Sequence, residues 1–220
     1  MTCNFSGIAG CCQLEANVIT CSIAYDWAIR QLYGMDKIDY GQIEQELKKE
    51  QEPAGCLVLP YFKGSGAPDW NSQAKAIFAD VTLATRRSEM LKAVLEGIFM
   101  EMNNRIKCIS SYVPVNKIFV SGGMTNSDVI CQLQSDIYGR ELMVRNDAEA
   151  TAFGVFLVCM VSLGKYVSME EAQQALNPMN SVRVFTPDPE KYEKYQAKQT
   201  RMNQLYQVTE CLNGSEEILK

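Results

Sequence analysis

The stretch KIFVSGGMTNSDVICQLQSDIYGRELMV, residues 117–144, decides the fold. KIFV (117–120) reads as a buried strand, SGGMTN (121–126) as a turn, and residues 127–138 as a helix that Gly139 stops. ELMV (141–144) is a second strand. Strand, helix and strand at this spacing form a βαβ crossover, the unit from which α/β sheets are built.

The same pattern continues on both sides of this unit. Toward the C-terminus, residues 148–163 form a mostly apolar helix expected to lie against the sheet, and 168–176 a short helix. Residues 188–211 make a polar helix with Tyr192, Tyr195, Met202, Leu205 and Tyr206 on a sparse stripe. Toward the N-terminus, Met90, Val94, Ile98 and Met102 repeat every four residues within 87–109, flanked by Leu91, Leu95, Phe99 and Ile106. That is one wide apolar stripe on a long helix. AIFADV (76–81) and CLVLPYF (56–62) are short apolar strands, joined by the turn-rich loop KGSGAPDWNS (63–72). A charged helix is expected over 40–49, and another over 17–32, where Val18, Ile19, Ala24, Trp27 and Ala28 fall at helical spacing before Gly34. With no internal repeat and no linker, the economical reading is one α/β domain spanning residues 1–220.

Composition narrows the chemistry. The 220 residues include no histidine, which removes Ser-His-Asp and Cys-His nucleophiles, histidine-ligated zinc and imidazole acid/base catalysis. Any reaction must rest on carboxylates, hydroxyls, backbone groups or a bound metal. A net charge of −5 without a basic run argues against nucleic acid as a partner. The nine cysteines are an odd number and lack metal-ligand spacing, so they read as reduced thiols of a cytoplasmic protein, and no metal-ligand residues are nominated. The longest uncharged run, residues 150–164, is too short for a bilayer, so no membrane partner is expected.

The Ser121-Gly122-Gly123 turn carries the most chemical information. A glycine pair after a buried strand lets backbone approach a ligand without an intervening Cβ, and the following helix directs unpaired N–H groups at an anion such as phosphate. Glycines that only make a tight turn, with Asn126 or Ser127 capping the helix, give the same local sequence.

Four blocks together resemble the C-terminal domain of the FGGY carbohydrate kinases, the family of glycerol kinase, xylulokinase, gluconokinase and ribulokinase. They are LPYFKGSGAPDWN (59–71), AIFADVTLATRRSEMLKAVLE (76–96), SGGMTNSDVICQLQSDIYG (121–139) and EATAFGVF (149–156). In the second block Ala76, Phe78, Val81, Glu89, Met90, Ala93, Leu95 and Glu96 fall in place, while Asp80 stands where the family usually has glycine. The resemblance implies half of an actin-like, ribonuclease-H-like ATPase: a mixed sheet flanked by helices, closing on ATP against a second domain that holds the sugar. It implies transfer of the γ-phosphoryl of ATP, with Mg²⁺, to a sugar or polyol hydroxyl, chemistry that needs positioning and charge neutralisation more than an imidazole.

By resemblance, Gly122 and Gly123 match the pair that approaches the nucleotide. Ser127 falls where many members have an asparagine contacting adenine, with Asn126 one residue earlier. Ser22 and Asp26 occupy the places of a glycine and a glutamine lining the same pocket; Asp26 is either an acceptor for the adenine amino group or a solvated helix carboxylate. The GSGAPDW loop matches the interdomain cleft or is turn chemistry with Trp70 as a packing anchor. Gly154 is expected to set close helix packing, with a contact to the nucleotide side as the other reading, and Asp136 and Glu149 are expected to be structural. The family's catalytic aspartate, in a Gly-Asp-Gln-like strand, and its Gly-Thr-type phosphate turn have no match here. The expectation is therefore an N-terminally truncated C-terminal domain, missing its first strands, with the catalytic base upstream of Met1 and most of the sugar site in an absent N-terminal domain. Such a piece would be inactive alone and open to oligomerisation. Glycerol, a ketopentose, a hexose derivative and an aldonate all remain possible substrates. A non-catalytic actin-like domain binding a nucleotide or a protein is the other reading.

Overall fold

The computed structural model describes residues 1–6, 8, 10–145, 150–176 and 182–213. An exposed antiparallel hairpin, β1 (Thr2–Phe5) and β2 (Cys12–Glu15), opens the chain. Helix α1 is Ser22–Tyr33, ended by Gly34 at φ 64°, and helix α2 is Tyr40–Lys49, capped by the Asp39 carboxylate, which accepts from the Gln42 N–H at 3.0 Å. β3 (Leu57–Leu59) and β4 (Ile77–Ala79) pair antiparallel, and helix α3 (Arg87–Ser110) follows.

The deciding stretch forms the βαβ unit its pattern predicts, although residues 118–120 are not the buried strand expected: Phe119 is 52% exposed and its two neighbours are half-buried. β5 (Ile118–Val120) leads through a short 3₁₀ turn, Gly123–Asn126, into helix α4 (Asp128–Tyr138) and then β6 (Leu142–Arg145), parallel to β5. Gly139 stops α4 in the left-handed conformation at φ 62°. Helices α5 (Ala150–Ser162) and α6 (Met169–Leu176) come next. β7 (Val182–Phe185) then returns antiparallel to β6, making a mixed sheet in the order β5-β6-β7, and α7 (Pro189–Asn213) completes the described chain.

The core lies around α3. All ten residues from 91 to 100 are buried, so the apolar stripe of this helix is not its only covered side. β3 packs against it at Gly97, α1, α2 and α4 lie against it as well, and α7 reaches it through the Tyr195 and Gln199 side chains. A helix enclosed in this way accepts polar residues only where partners meet them. Asn103 accordingly donates to the Ile137 carbonyl at 3.1 Å and to Gln199 of α7 at 2.8 Å.

Several elements depart from their sequence expectation. Residues 17–20 are not helical: Asn17 and Ile19 lie beside Gly66, and the Thr20 hydroxyl donates to the Pro60 carbonyl at 3.4 Å, so this segment runs along the 60–66 loop. The strand expected over 56–62 stops at Leu59, because Pro60 has no N–H to pair. β4 stops at Ala79 because Asp80 turns to φ 61°, so the glycine-type backbone persists although glycine is absent. Arg201 of α7 meets that aspartate at 2.7 Å.

Helix α5 is the largest correction. Its neighbour is α6 rather than the sheet, Leu157 is its one buried residue among those with described side chains, and Val155 is 60% exposed. A Cβ on Gly154 would meet nothing within 4 Å, so that glycine sets no close packing. Trp70 is likewise no packing anchor, being 62% exposed at φ 49°. Asp136 is structural as expected: it is buried and accepts from the Asp188 N–H and from Gln132, at 2.9 and 2.8 Å. Glu149 lies outside the described residues. The eight cysteines with described side chains are free thiols, and no described helix is long and apolar enough to cross a membrane.

Candidate nucleotide cleft

A cleft of about 820 Å³ opens between two walls. One wall is built by α1 and α2, which present Ser22, Tyr25, Asp26, Tyr40 and Glu44. The other is the end of β5, the glycine turn and the start of α4, from Phe119 to Ser127. Phe99, Met102 and Tyr138 form the floor between them. All six residues nominated from sequence, Ser22, Asp26, Gly122, Gly123, Asn126 and Ser127, line this one cleft, although a hundred residues separate the two groups.

The two glycines have different reasons to be glycine. Gly122 sits at φ 106°, a backbone region that side chains avoid. Gly123 has no such constraint, yet a Cβ on it would meet no atom within 4 Å. Among the described residues, nothing fills the space over Gly123. The Thr125 hydroxyl fastens the turn by donating to the Gly122 carbonyl at 2.7 Å. The Ser127 side chain caps α4, accepting from the Ile130 N–H at 3.4 Å, so the capping role open in the sequence belongs to Ser127.

The opposite wall is polar in another way. Tyr40 donates its hydroxyl hydrogen to Asp26 Oδ1 at 2.9 Å, tying α2 to α1 across the mouth of the cleft. Partial burial first, and this bond second, push the Tyr40 hydroxyl above its ordinary range. Burial pushes Tyr25 up as well, assisted by the negative field of Tyr40 and Asp26. Burial pushes the Cys21 thiol up to about 11. Near neutral pH these three groups are therefore protonated, and the cleft contains hydroxyl and thiol groups rather than phenolates and thiolates.

Sequence reading missed Tyr40, which sits directly after the cap of α2, and Arg183. The Arg183 guanidinium donates to the Thr125 carbonyl at 2.6 Å and pairs with Asp128, holding the glycine turn from behind. The strand that brings it there was not anticipated, though the alternation in VRVF is the signal that reveals it. In the 63–72 loop, Arg105 of α3 binds Asp69 through two nitrogens at 2.9 Å and also pairs with Glu101. Ser65 and Asp69 of the loop are thus engaged structurally. Among the described residues, no group of three or more carboxylates or thiols is placed to hold a metal ion.

Comparison with known proteins agrees with this architecture. A glycerol kinase of Mycoplasmoides gallisepticum is 29% identical over 188 residues, covering 82% of this chain and 36% of its own length. A ligand-bound xylulose kinase from Lactobacillus acidophilus superposes with a TM-score of 0.75 at 21% identity, over 90% of this chain and 39% of that one. Plasmodium falciparum glycerol kinase with ADP superposes with a TM-score of 0.68 at 23% identity, over 83% and 36%. These likenesses establish that the chain shares the fold of the corresponding part of those proteins, and it spans little more than a third of the length of these relatives. The profile of the FGGY family of carbohydrate kinases, C-terminal domain, matches residues 7–163, and the chain belongs to that family.

Proposed function

We propose that this chain is the nucleotide-binding C-terminal portion of a sugar or polyol kinase that transfers the γ-phosphoryl group of ATP to a carbohydrate hydroxyl. The observation that carries this reading is the unfilled space over Gly123, in a cleft lined by every nominated residue, within a chain of the FGGY family. The glycine turn and the start of α4 suit a polyphosphate, because backbone N–H groups approach it unobstructed. Met102 and Phe119, both accessible from the cleft, supply apolar surface for a base and ribose. Gly122, Gly123, Asn126 and Ser127 thus hold ATP from one side, Ser22 and Asp26 from the other.

ATP supplies the electrophilic phosphoryl group; this chain's residues bind and orient it and keep water from one side of it. No residue of the described chain is assigned as a Mg²⁺ ligand. No carboxylate of the cleft is assigned as the base that accepts the hydroxyl proton, and the sugar site and that base are placed in other parts of a complete kinase.

The test is titration calorimetry with ATP on the parent chain and on Gly123→Val. Because a Cβ at Gly123 meets no described residue within 4 Å, valine should leave the fold intact and obstruct only a ligand. The parent is expected to bind and the variant to lose affinity by roughly tenfold or more, since small misplacements at phosphate sites are costly. Equal affinities would remove the turn from the site. In the same reading, the 220-residue chain alone shows no phosphorylation of glycerol, xylulose or gluconate; measurable turnover would place a catalytic carboxylate within it.

A further inference from the structure

We infer that the uncovered face of α5 pairs with α5 of a second copy of this chain, antiparallel about a twofold axis. One side of α5 packs against α6, and Leu157 is buried there. On the other side Ala152, Phe156, Cys159 and Leu163 are all exposed, Phe156 at 46% and Leu163 at 71%. Leu163 continues the helical line, its N–H donating to the Cys159 carbonyl at 2.9 Å. Steps of four, three and four residues put these side chains on one seam, the spacing by which helices pair.

Two features name a second copy as the occupant. The seam alternates small, large, small and large, which makes it complementary to itself when one copy is reversed. With the axis between residues 157 and 158, Phe156 meets the partner's Cys159, and Ala152 meets the partner's Leu163. A parallel pair sets like against like, crowding the large residues and leaving voids at the small ones. The second feature is charge: no residue from 150 to 164 carries any, so copies with a net charge of −5 can meet at this face without opposing their charges. Antiparallel approach also lays each helix N-terminus beside the partner's C-terminus, as their dipoles prefer. A helix about 20 Å long covers less than the roughly 800 Å² per partner of a standard stable interface. The dimer is therefore reversible and concentration-dependent.

Sedimentation velocity on the 220-residue chain tests this, in reducing buffer so that exposed thiols cannot bridge copies. The parent is expected to pass from monomer to dimer between about 5 and about 500 μM, with no larger species. Phe156→Ala removes a central large side chain and Cys159→Phe sets two large ones opposite each other, so each should weaken the dimer by roughly tenfold or more. Phe156→Ala/Cys159→Phe exchanges large and small across the same pair and should restore the dimer, a rescue that loose apolar adhesion would not show. Circular dichroism checks that each chain is folded. A parent that stays monomeric, or that grows past the dimer, overturns the proposal. A dimer that survives both single substitutions overturns its placement on α5, and losses that the exchange does not restore overturn the antiparallel register.

Discussion

Glu96→Ala should cost about 3–5 kcal/mol of folding free energy, the range expected when one partner of a buried ion pair is removed. Glu96 lies in the enclosed middle of α3 with no exposed surface. Its carboxylate accepts from the Ala54 N–H at 3.1 and 3.3 Å, from the Tyr195 hydroxyl at 3.0 Å and from Lys198 Nζ at 2.5 Å. Lys92 stands 3.8 Å away, anchored to the carbonyls of Glu50 and Glu52 at 2.7 and 2.5 Å. One carboxylate thus joins α3, α7 and the segment leading into β3.

Alanine at this position leaves the Lys198 and Lys92 ammonium groups without their counter-charge, and the Tyr195 hydroxyl and Ala54 N–H without an acceptor. Glu96→Gln keeps the shape and one of the two acceptor oxygens but not the charge, so it should fall between parent and alanine. The double substitution Glu96→Met/Lys198→Met removes both charges together and should be less damaging than Glu96→Ala alone, because replacing a whole buried pair is often close to neutral. Urea denaturation of the four chains checks this order. A loss below about 1 kcal/mol for Glu96→Ala would mean that water reaches the cluster and that α7 is not held through it.

The cluster also shows where sequence reading reaches its limit. Glu96 was legible as part of a family block, whereas its i,i+4 neighbour Lys92 was not singled out. Their spacing does not reveal that the helix bearing them is covered on every side, since that depends on α7, whose contact with α3 joins residues about a hundred positions apart. The βαβ unit was legible almost to the residue because turn, cap and stop are local: Gly122 needs positive φ, Ser127 caps, and Gly139 ends the helix. The cleft's two walls were nominated only through family resemblance. The Tyr40 to Asp26 bond that joins α1 to α2 follows from tertiary approach, and no periodicity encodes it. Local apolar character misplaced α5, since a run of apolar residues states what a helix should bury but not which surface is present to bury it.

A matched pair of glycine-to-alanine substitutions should separate local propensity from packing with opposite signs. Both Gly97 and Gly154 lie inside helices, and in each case alanine improves helix propensity by about 1 kcal/mol. At Gly154 a Cβ meets nothing within 4 Å, so Gly154→Ala should raise stability by up to that amount. At Gly97 the new Cβ would collide with the Val58 carbonyl oxygen and lie 3.2 Å from the carbonyl carbon. Those are backbone atoms of β3, which pairs with β4 through Val58 and Phe78 and is buried throughout, so the strand cannot rotate aside as a side chain can. Relief requires α3 to move away from β3, opening contacts along the whole interface. Gly97→Ala should therefore lose about 2–4 kcal/mol even after the propensity gain, and Gly97→Ser should do no better, since its Cβ meets the same carbonyl. Thermal or urea denaturation of Gly97→Ala and Gly154→Ala measures the contrast directly. If both substitutions stabilise, α3 does not approach β3 closely enough for glycine to be required, and the central contact of the core is looser than this packing demands.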